Sequence, residues 1–503
     1  MNIYSTKNNN MYTSCKKTLS ALLLLTLIFY TLNSNAEVRL PKLISNNMVL
    51  QRDIAIPIWG WGSAGEKIEV DFNGKRYKSV TDASGKWKLN LRKTKAGGPY
   101  NIIIKGSNTI TLNNILIGDV WLCSGQSNME LKMSTVKEKY AADIEIGTNN
   151  QIRHFMVNKA SSVTVQDTIT SPGWMMADPT TIPSFSAVAY FFAKTLFDKY
   201  HIPIGLLHSS WGGTVAEAWT SEEGLKEFPH YLSRLQETRT PEAQSKLMEN
   251  GKLKLIPNEP TALYNAMIAP LIPYAIKGAI WYQGESNANN KKAYEYRYLF
   301  PAMIKDWRSN WHQGNFPFLF VQLANFQAAA TKPEESTWAE LRESQLLTLS
   351  LPNTGMAVIH DIGEAKDIHP KNKKDVGIRL ALAAEKIAYH DNTVVYSGPV
   401  FKSMQIKNDK VYLSFTNKGS GLMANNADTL TQFAISGADK KFVWAHAKIE
   451  DDKVVVWSEQ VANPAAVRYA WANNAEGCNL YNKEGLPASA FRTDNWLLTS
   501  QPK

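Results

Sequence analysis

From Glu37 to about Gly118 apolar and polar positions alternate in short runs, "IAIPIWGWG", "KIEVDF", "NGKRYKSV", "GKWKLNL" and "YNIIIKG", with Gly, Asn and Asp at the breaks. Period-two alternation turns one side of each strand inward, so residues 37–118 are expected to form a small β-sandwich domain. Around Asp119 the pattern changes. "IGLLHSS", "AIKGAIWYQ", "FPFLFVQLANF" and "TGMAVIH" are near-continuous apolar runs, as strands covered on both faces of a parallel sheet require. Between them "SAVAYFFAKTLFDKY", "YEYRYLFPAMIKDWRSNW" and "DVGIRLALAAEKIAYH" read as helices. Strands alternating with helices predict a three-layer α/β domain over residues 119–392. Residues 221–256, rich in charge and helix formers, read as an inserted helical segment of that domain. After about Asn392 the strand texture returns in "KVYLSF", "QFAISG" and "KVVVWS", and residues 393–503 are expected to be β-rich.

Residues 1–36 stand apart from all of this. They contain Lys7, Lys16 and Lys17 but no acid, then the apolar run "ALLLLTLIFY", then "SNA" before Glu37. Basic start, apolar centre and small-residue end are the marks of a secretory signal peptide cleaved after Ala36. The apolar run is shorter than the roughly 20 residues a spanning helix needs, which argues against a membrane anchor. Export to the periplasm or the extracellular space is therefore expected.

Charge and cysteine content narrow the remaining possibilities. Removing the leader takes three lysines from the formal net charge of +10 and leaves +7, spread without basic blocks, so nucleic acid is not an implied partner. Only Cys123 and Cys478 follow the leader, too few for a disulfide framework and without zinc spacing. One bridge between them and two separate buried thiols are both open. Past the leader no apolar stretch is long enough to span a bilayer, so the mature chain is expected to make no stable membrane insertion.

The candidate chemistry lies at the ends of the apolar strands. "WLCSGQSNME" runs from a strand into a helix start, and two readings of Ser127 compete. With Glu130 three residues on, it matches a capping box. A serine between a parallel strand and a helix also faces the crevice where open α/β sheets bind ligands, beside N–H groups that stabilise anions. A second junction, "GLLHSSWGGTVAEAW", has Gly212 and Gly213 where a backbone N–H could approach a bound oxygen, and Thr214 with Glu217 repeats the capping-box spacing. In a third, "AIWYQGESNA", the Gln283 amide could donate at the carboxyl edge of the sheet; a structural polar loop is the alternative. A base is offered by "GEAKDIHPKNKKDVGIRLA", where Asp367 and His369, two apart in extended chain, can share one side. His208 and His360 compete with it, but both fall within apparent strands.

With these residues in view the chain resembles the sialate O-acetylesterases, a family of the SGNH-hydrolase class of serine esterases. The resemblance rests on "NNMVLQR", "PIWGWG", "AGGPY", "IGDVWLCSGQSNME", "SWGGTVAEAW", "LYNAMIAPL", "IKGAIWYQGESNA", "DIHPKNKKDVGIRLA" and "AVRYAW" with "NLYNKEGLPASAFRTD", in order across nearly the whole chain after the leader. It implies a flavodoxin-like three-layer α/β/α hydrolase domain flanked by β-sandwich-like domains. It implies Ser127 as nucleophile, His369 as base and Asp367 as orienting acid. The oxyanion hole would then be drawn from the Ser127 N–H, Gly212 or Gly213, and Gln283, with no metal and no organic cofactor. Two departures stand out: many SGNH enzymes place the acid three residues before the histidine, where this chain has Lys366, and use Asn where it has Gln283. The implied substrate is an O-acetylated sialic acid or another acetylated glycan. Sialic acid is an anion, so Asn287, Arg379 and Lys371 are candidate substrate contacts, each with a surface or helix-stabilising alternative. An acetylesterase acting on plant polysaccharides such as xylan remains a rival, as does a glycan-binding protein with a vestigial centre. Intact Ser127, Asp367 and His369 count against the latter.

Overall fold

A computed structural model describes residues 37–502 apart from 247, 250, 251, 255 and 290. The expected leader, 1–36, lies outside the described residues. The described chain forms two compact units. The first combines residues 37–40 with Trp59–Leu89 and Ile102–Thr111. In it Lys67–Phe72 pairs antiparallel with Lys75–Val80 across a two-residue turn, Asn73 and Gly74, both at positive φ (47° and 72°). Asn-Gly is the dipeptide that such a tight hairpin selects. Ile68, Val70 and Phe72 alternate inward, as their spacing requires, and residues 102–105 add a third antiparallel strand.

The second unit holds Pro41–Ile58, Asn90–Asn101 and the chain from Leu112 on. Its centre is a sheet of β1 (Thr109–Gly125), β2 (Asn149–Met156), β3 (Trp174–Ala177), β4 (Ile204–Ser210), β5 (Gly278–Tyr282), β6 (Phe318–Val321) and β7 (Thr354–Ala357). Side by side these run β7-β6-β5-β1-β4-β2-β3, all parallel except the edge strand β3. Numbered along the chain, the five adjacent parallel strands β1, β4, β5, β6 and β7 have the doubly wound order 2-1-3-4-5, whose switch point falls beside β1.

Period two divides each strand between two helical layers. Trp121, Cys123, Ile280, Tyr282, Leu319 and Val321 share a core with helices α2 (Ala187–Tyr200) and α5 (Lys373–Ile387). Trp281, Phe318 and Phe320 instead meet Phe300 and Trp307 of α3 (Tyr296–Trp311), with ring centroids 5.1–6.3 Å apart. The α/β class and its helix–sheet–helix layering are as the apolar runs predict. α4 (Thr337–Leu347) begins after Ser336, whose hydroxyl accepts the Ala339 N–H. Within 221–256 lie helices Pro229–Thr238 and Pro241–Lys246.

Beyond α5 the chain builds antiparallel sheets. One pairs Val400–Lys407, Lys410–Thr416, Lys453–Trp457 and His446–Glu450; another pairs Val443–Trp444, Phe433–Ser436, Ala466–Tyr469 and Phe491–Arg492. Their inward residues, among them Val411, Leu413, Phe433, Val454, Tyr469 and Phe491, form a separate core. Cys123 and Cys478 are both buried free thiols, which closes the bridge alternative.

Candidate active site

β1 ends at the switch point on Gly125, whose φ of 134° and closeness to β5 admit no side chain: a Cβ there would lie 2.1 Å from the Tyr282 carbonyl oxygen. The Gln126 N–H donates to that same oxygen at 2.9 Å, and the chain then turns into α1 (Ser127–Glu130). Ser127 is thus the first helical residue, not the cap. Its hydroxyl makes no capping bond, and Oγ lies 2.8 Å from His369 Nε2. Neither capping box predicted from the sequence forms. The Glu130 carboxylate accepts the Gly212 N–H at 2.6 Å and pairs with Lys159. The Thr214 hydroxyl donates to the Trp211 carbonyl, and Glu217 takes Asn287 and Lys292 as partners.

His369 stands on the loop between β7 and α5. Asp367 Oδ1 accepts the His369 backbone N–H at 2.8 Å and lies 3.5 Å from its Nδ1. The first is a hydrogen bond; the second is an ion-pair distance, longer than a good hydrogen bond. The serine, the imidazole and the carboxylate therefore stand in one line, as the spacing of Asp367 and His369 suggests. The competing histidines are placed differently. His208 is buried on β4 with Nε2 2.6 Å from Ser210 Oγ, and burial pushes its pKa down to about 4. His360 is not within a strand as expected but on the turn His360–Ile362 after β7; it is buried too, and desolvation lowers it to about 3. Both stay neutral at neutral pH, and the hydroxyl of Ser127 has His369, not either of them, as its partner.

The expected oxyanion donors separate. Ser127 N–H and Gly213 N–H meet no acceptor among the described residues, and Gly213 is exposed at φ 75°. Gly212 packs on the nucleophile, since a Cβ there would lie 3.1 Å from Ser127 Cβ, but Glu130 occupies its N–H. Gln283 is fully buried, with one amide hydrogen on the Thr214 carbonyl at 3.1 Å, the other on Asn287 Oδ1 at 2.6 Å, and Tyr296 OH donating to its Oε1 at 2.9 Å. Having spent both hydrogens it has no donor left for an oxyanion, which corrects the role expected for it in favour of the structural polar loop.

Two of the three substrate candidates are likewise structural. Asn287 is buried, donating to Glu217 Oε2 at 3.0 Å and accepting from Ala216 N–H and Gln283. Arg379 forks onto Asp361 through two 2.6 Å bonds and also donates to the Val358 carbonyl. Lys371 is exposed, two residues beyond His369.

Sequence reasoning passed over a buried cluster beside the serine. Asn128 donates to Glu285 Oε1 at 2.6 Å and to the Ile368 carbonyl at 3.0 Å, and its own oxygen accepts from Lys373 Nζ. One side chain thus ties the residue after Ser127 to the residue before His369. Burial pushes the Glu285 carboxyl up and holds the Lys373 amine down at about 7, the Glu285 charge opposing the latter shift. A lysine at the start of a helix, where the dipole disfavours a cation, is the signal that could have marked Lys373.

A family model described as "Carbohydrate esterase, sialic acid-specific acetylesterase" matches residues 117–386. The sialate O-acetylesterase of Mus musculus is 30% identical, over 90% of this chain and 94% of its own length. That of Homo sapiens is 30% identical over 90% and 92%. The crystal structure of a carbohydrate acetylesterase from Xanthomonas citri superposes with a TM-score of 0.83 at 44% identity, covering 92% of this chain and all of the other.

Proposed function

The chain belongs to the sialic acid-specific acetylesterase family of carbohydrate esterases, and from that premise we propose that it removes O-acetyl groups from sialic acids through a covalent acetyl-Ser127 intermediate. The observation that carries the mechanism is the 2.8 Å contact between Ser127 Oγ and His369 Nε2. His369 takes the hydroxyl proton as Oγ attacks the acetyl carbonyl, and the Asp367 carboxylate beside Nδ1 stabilises the imidazolium that results. The Ser127 N–H, first of the free donors of α1, faces the developing oxyanion, with Gly213 N–H available as a second. Collapse of the tetrahedral species breaks the C–O bond to the sugar, whose oxygen leaves with the proton held by His369. Water then attacks the acetyl-serine through the same base and releases acetate.

The sugar is inferred from the sialate O-acetylesterases to which the chain is similar, and export from the pattern of residues 1–36. Among the described residues no helix is long and apolar enough to cross a membrane. Release of acetate from O-acetylated sialic acid, acetylated xylan and a chromogenic acetate, measured side by side, tests the reading. Turnover of the sialate with a pre-steady-state burst on the chromogen is expected. Turnover of xylan with none of the sialate overturns the choice of sugar and leaves the mechanism standing.

A further inference from the structure

The β-rich C-terminal part of the chain carries a cavity of about 150 Å³ that the esterase centre does not use. Its walls come from the second antiparallel sheet and from the loop between β6 and α4, and they join aromatic faces to planar polar groups. Trp444 is 38% exposed although large and apolar, and its orientation is fixed because the indole N–H donates to the Thr331 carbonyl at 3.1 Å. The Arg468 guanidinium packs against both Phe442 and Trp471, at 4.2 and 5.2 Å from the ring centroids. That guanidinium is bonded along its edges by Asp494 and Glu335, both at 2.9 Å, and its side chain is only 4% exposed, so it braces the cavity wall and adds little net charge. Glu334 and Lys440, both exposed and of opposite sign, stand at the cavity too.

A fixed, partly exposed indole beside carboxylate and ammonium groups of balanced charge suits a ligand with an apolar C–H face and a rim of hydroxyls. An anion finds no uncompensated guanidinium there, and a purely apolar group would strand the polar rim. We infer that this cavity is a second glycan-binding site, distinct from the catalytic centre, that takes one neutral pyranose ring on Trp444. Its placement gives such a site a use that rests on the carbohydrate-esterase reading above. The Gln327 N–H donates to the carbonyl of Ala365, two residues before Asp367. From Gln327 to the cavity wall at Pro333 is six residues, at most about 20 Å of extended chain. The loop that lines the cavity is thus tied directly to the loop that carries Asp367 and His369.

Affinity electrophoresis through gels containing unesterified xylan, galactomannan or polysialic acid tests the site without the esterase reaction. Wild-type protein, Trp444→Ala and Glu334→Ala are compared, and each is also assayed on a chromogenic acetate. The expected result is retardation by at least one neutral glycan, weakened about tenfold or more by Trp444→Ala and several-fold by Glu334→Ala, with acetate turnover within twofold of wild type. Glu334 is exposed, so its variant keeps the test valid if Trp444→Ala folds poorly. The inference is overturned if no neutral glycan retards the wild type, if only polysialic acid does, or if both variants bind as the wild type does. Loss of acetate turnover in the wild type would count against the esterase reading alone.

Discussion

Asp367 holds His369 through a single oxygen, which accepts the histidine's backbone N–H at 2.8 Å and lies 3.5 Å from its ring Nδ1. The carboxylate therefore fixes the loop more firmly than it fixes the ring. Removing the imidazole removes the base, whereas removing the carboxylate leaves a base that is less well placed. His369→Ala is expected to lower kcat/KM by about 10⁴-fold or more, and Asp367→Ala by about 10²- to 10³-fold. Asp367→Asn should fall between wild type and Asp367→Ala, because an amide oxygen still accepts the backbone N–H. Steady-state rates on a chromogenic acetate check the order. Equal activity of the His369 and Asp367 variants with wild type would place the base on another loop.

Ser127→Ala should abolish turnover while leaving thermal stability almost unchanged. Its hydroxyl contacts His369 and makes no capping bond, so the loss of about 1 kcal/mol that removing a helix cap brings is not incurred. Melting within a degree or two of wild type, with activity at background, is the expected pair of results. A folded variant that keeps near-native turnover would falsify the nucleophile assignment.

Gln283→Ala separates two accounts of the same residue. A lost oxyanion donor costs about 10²- to 10³-fold in kcat with stability intact. The structure instead has this amide bridging Thr214, Asn287 and Tyr296 in the buried interior, where orphaned partners cost roughly 1–3 kcal/mol each. The expected outcome is a clearly lower melting temperature, with kcat of the folded enzyme reduced less than about tenfold. Thermal melts beside rates below the transition decide it.

The strands and helices were legible because their periods differ: four apolar runs became β4, β5, β6 and β7, and the three helical patterns became α2, α3 and α5. Ser127, Asp367 and His369 were legible for local reasons: Ser127 follows a strand end, His369 precedes a proline, and Asp367 stands two residues before His369. What eluded the sequence depends on contacts far apart in the chain. Whether Glu130 caps its own helix or accepts from Gly212, 82 residues away, is decided by where β4 places the glycine. Whether Gln283 faces the crevice or the interior depends on Asn287 and Tyr296 meeting it from one side. Arg379 and Asn287 look like ligand donors on paper because sequence does not reveal that Asp361 and Glu217 already satisfy them.

Lys373 gives a pH signature that no exposed lysine would. Burial is the main cause of its low pKa of about 7, and the nearby Glu285 charge only partly offsets it. In the unfolded chain the amine titrates near 10.4, so between these values the unfolded state binds the extra proton and the folded state does not. Stability therefore rises with pH across that window: the cost of burying the charge is carried in full below about pH 7 and is relieved as pH climbs toward 10. Lys373→Met keeps the length of the side chain and abolishes the titration, while leaving the Asn128 oxygen without its donor at every pH. The wild type should accordingly gain on the mutant by about 3 kcal/mol between pH 7 and 9.5. Denaturant melts of both proteins at the two ends of the window measure this difference directly. A stability difference that does not change with pH would mean that Lys373 keeps an ordinary pKa in the fold, and that the buried cluster joining Asn128 to the His369 loop is held by a charged ammonium throughout.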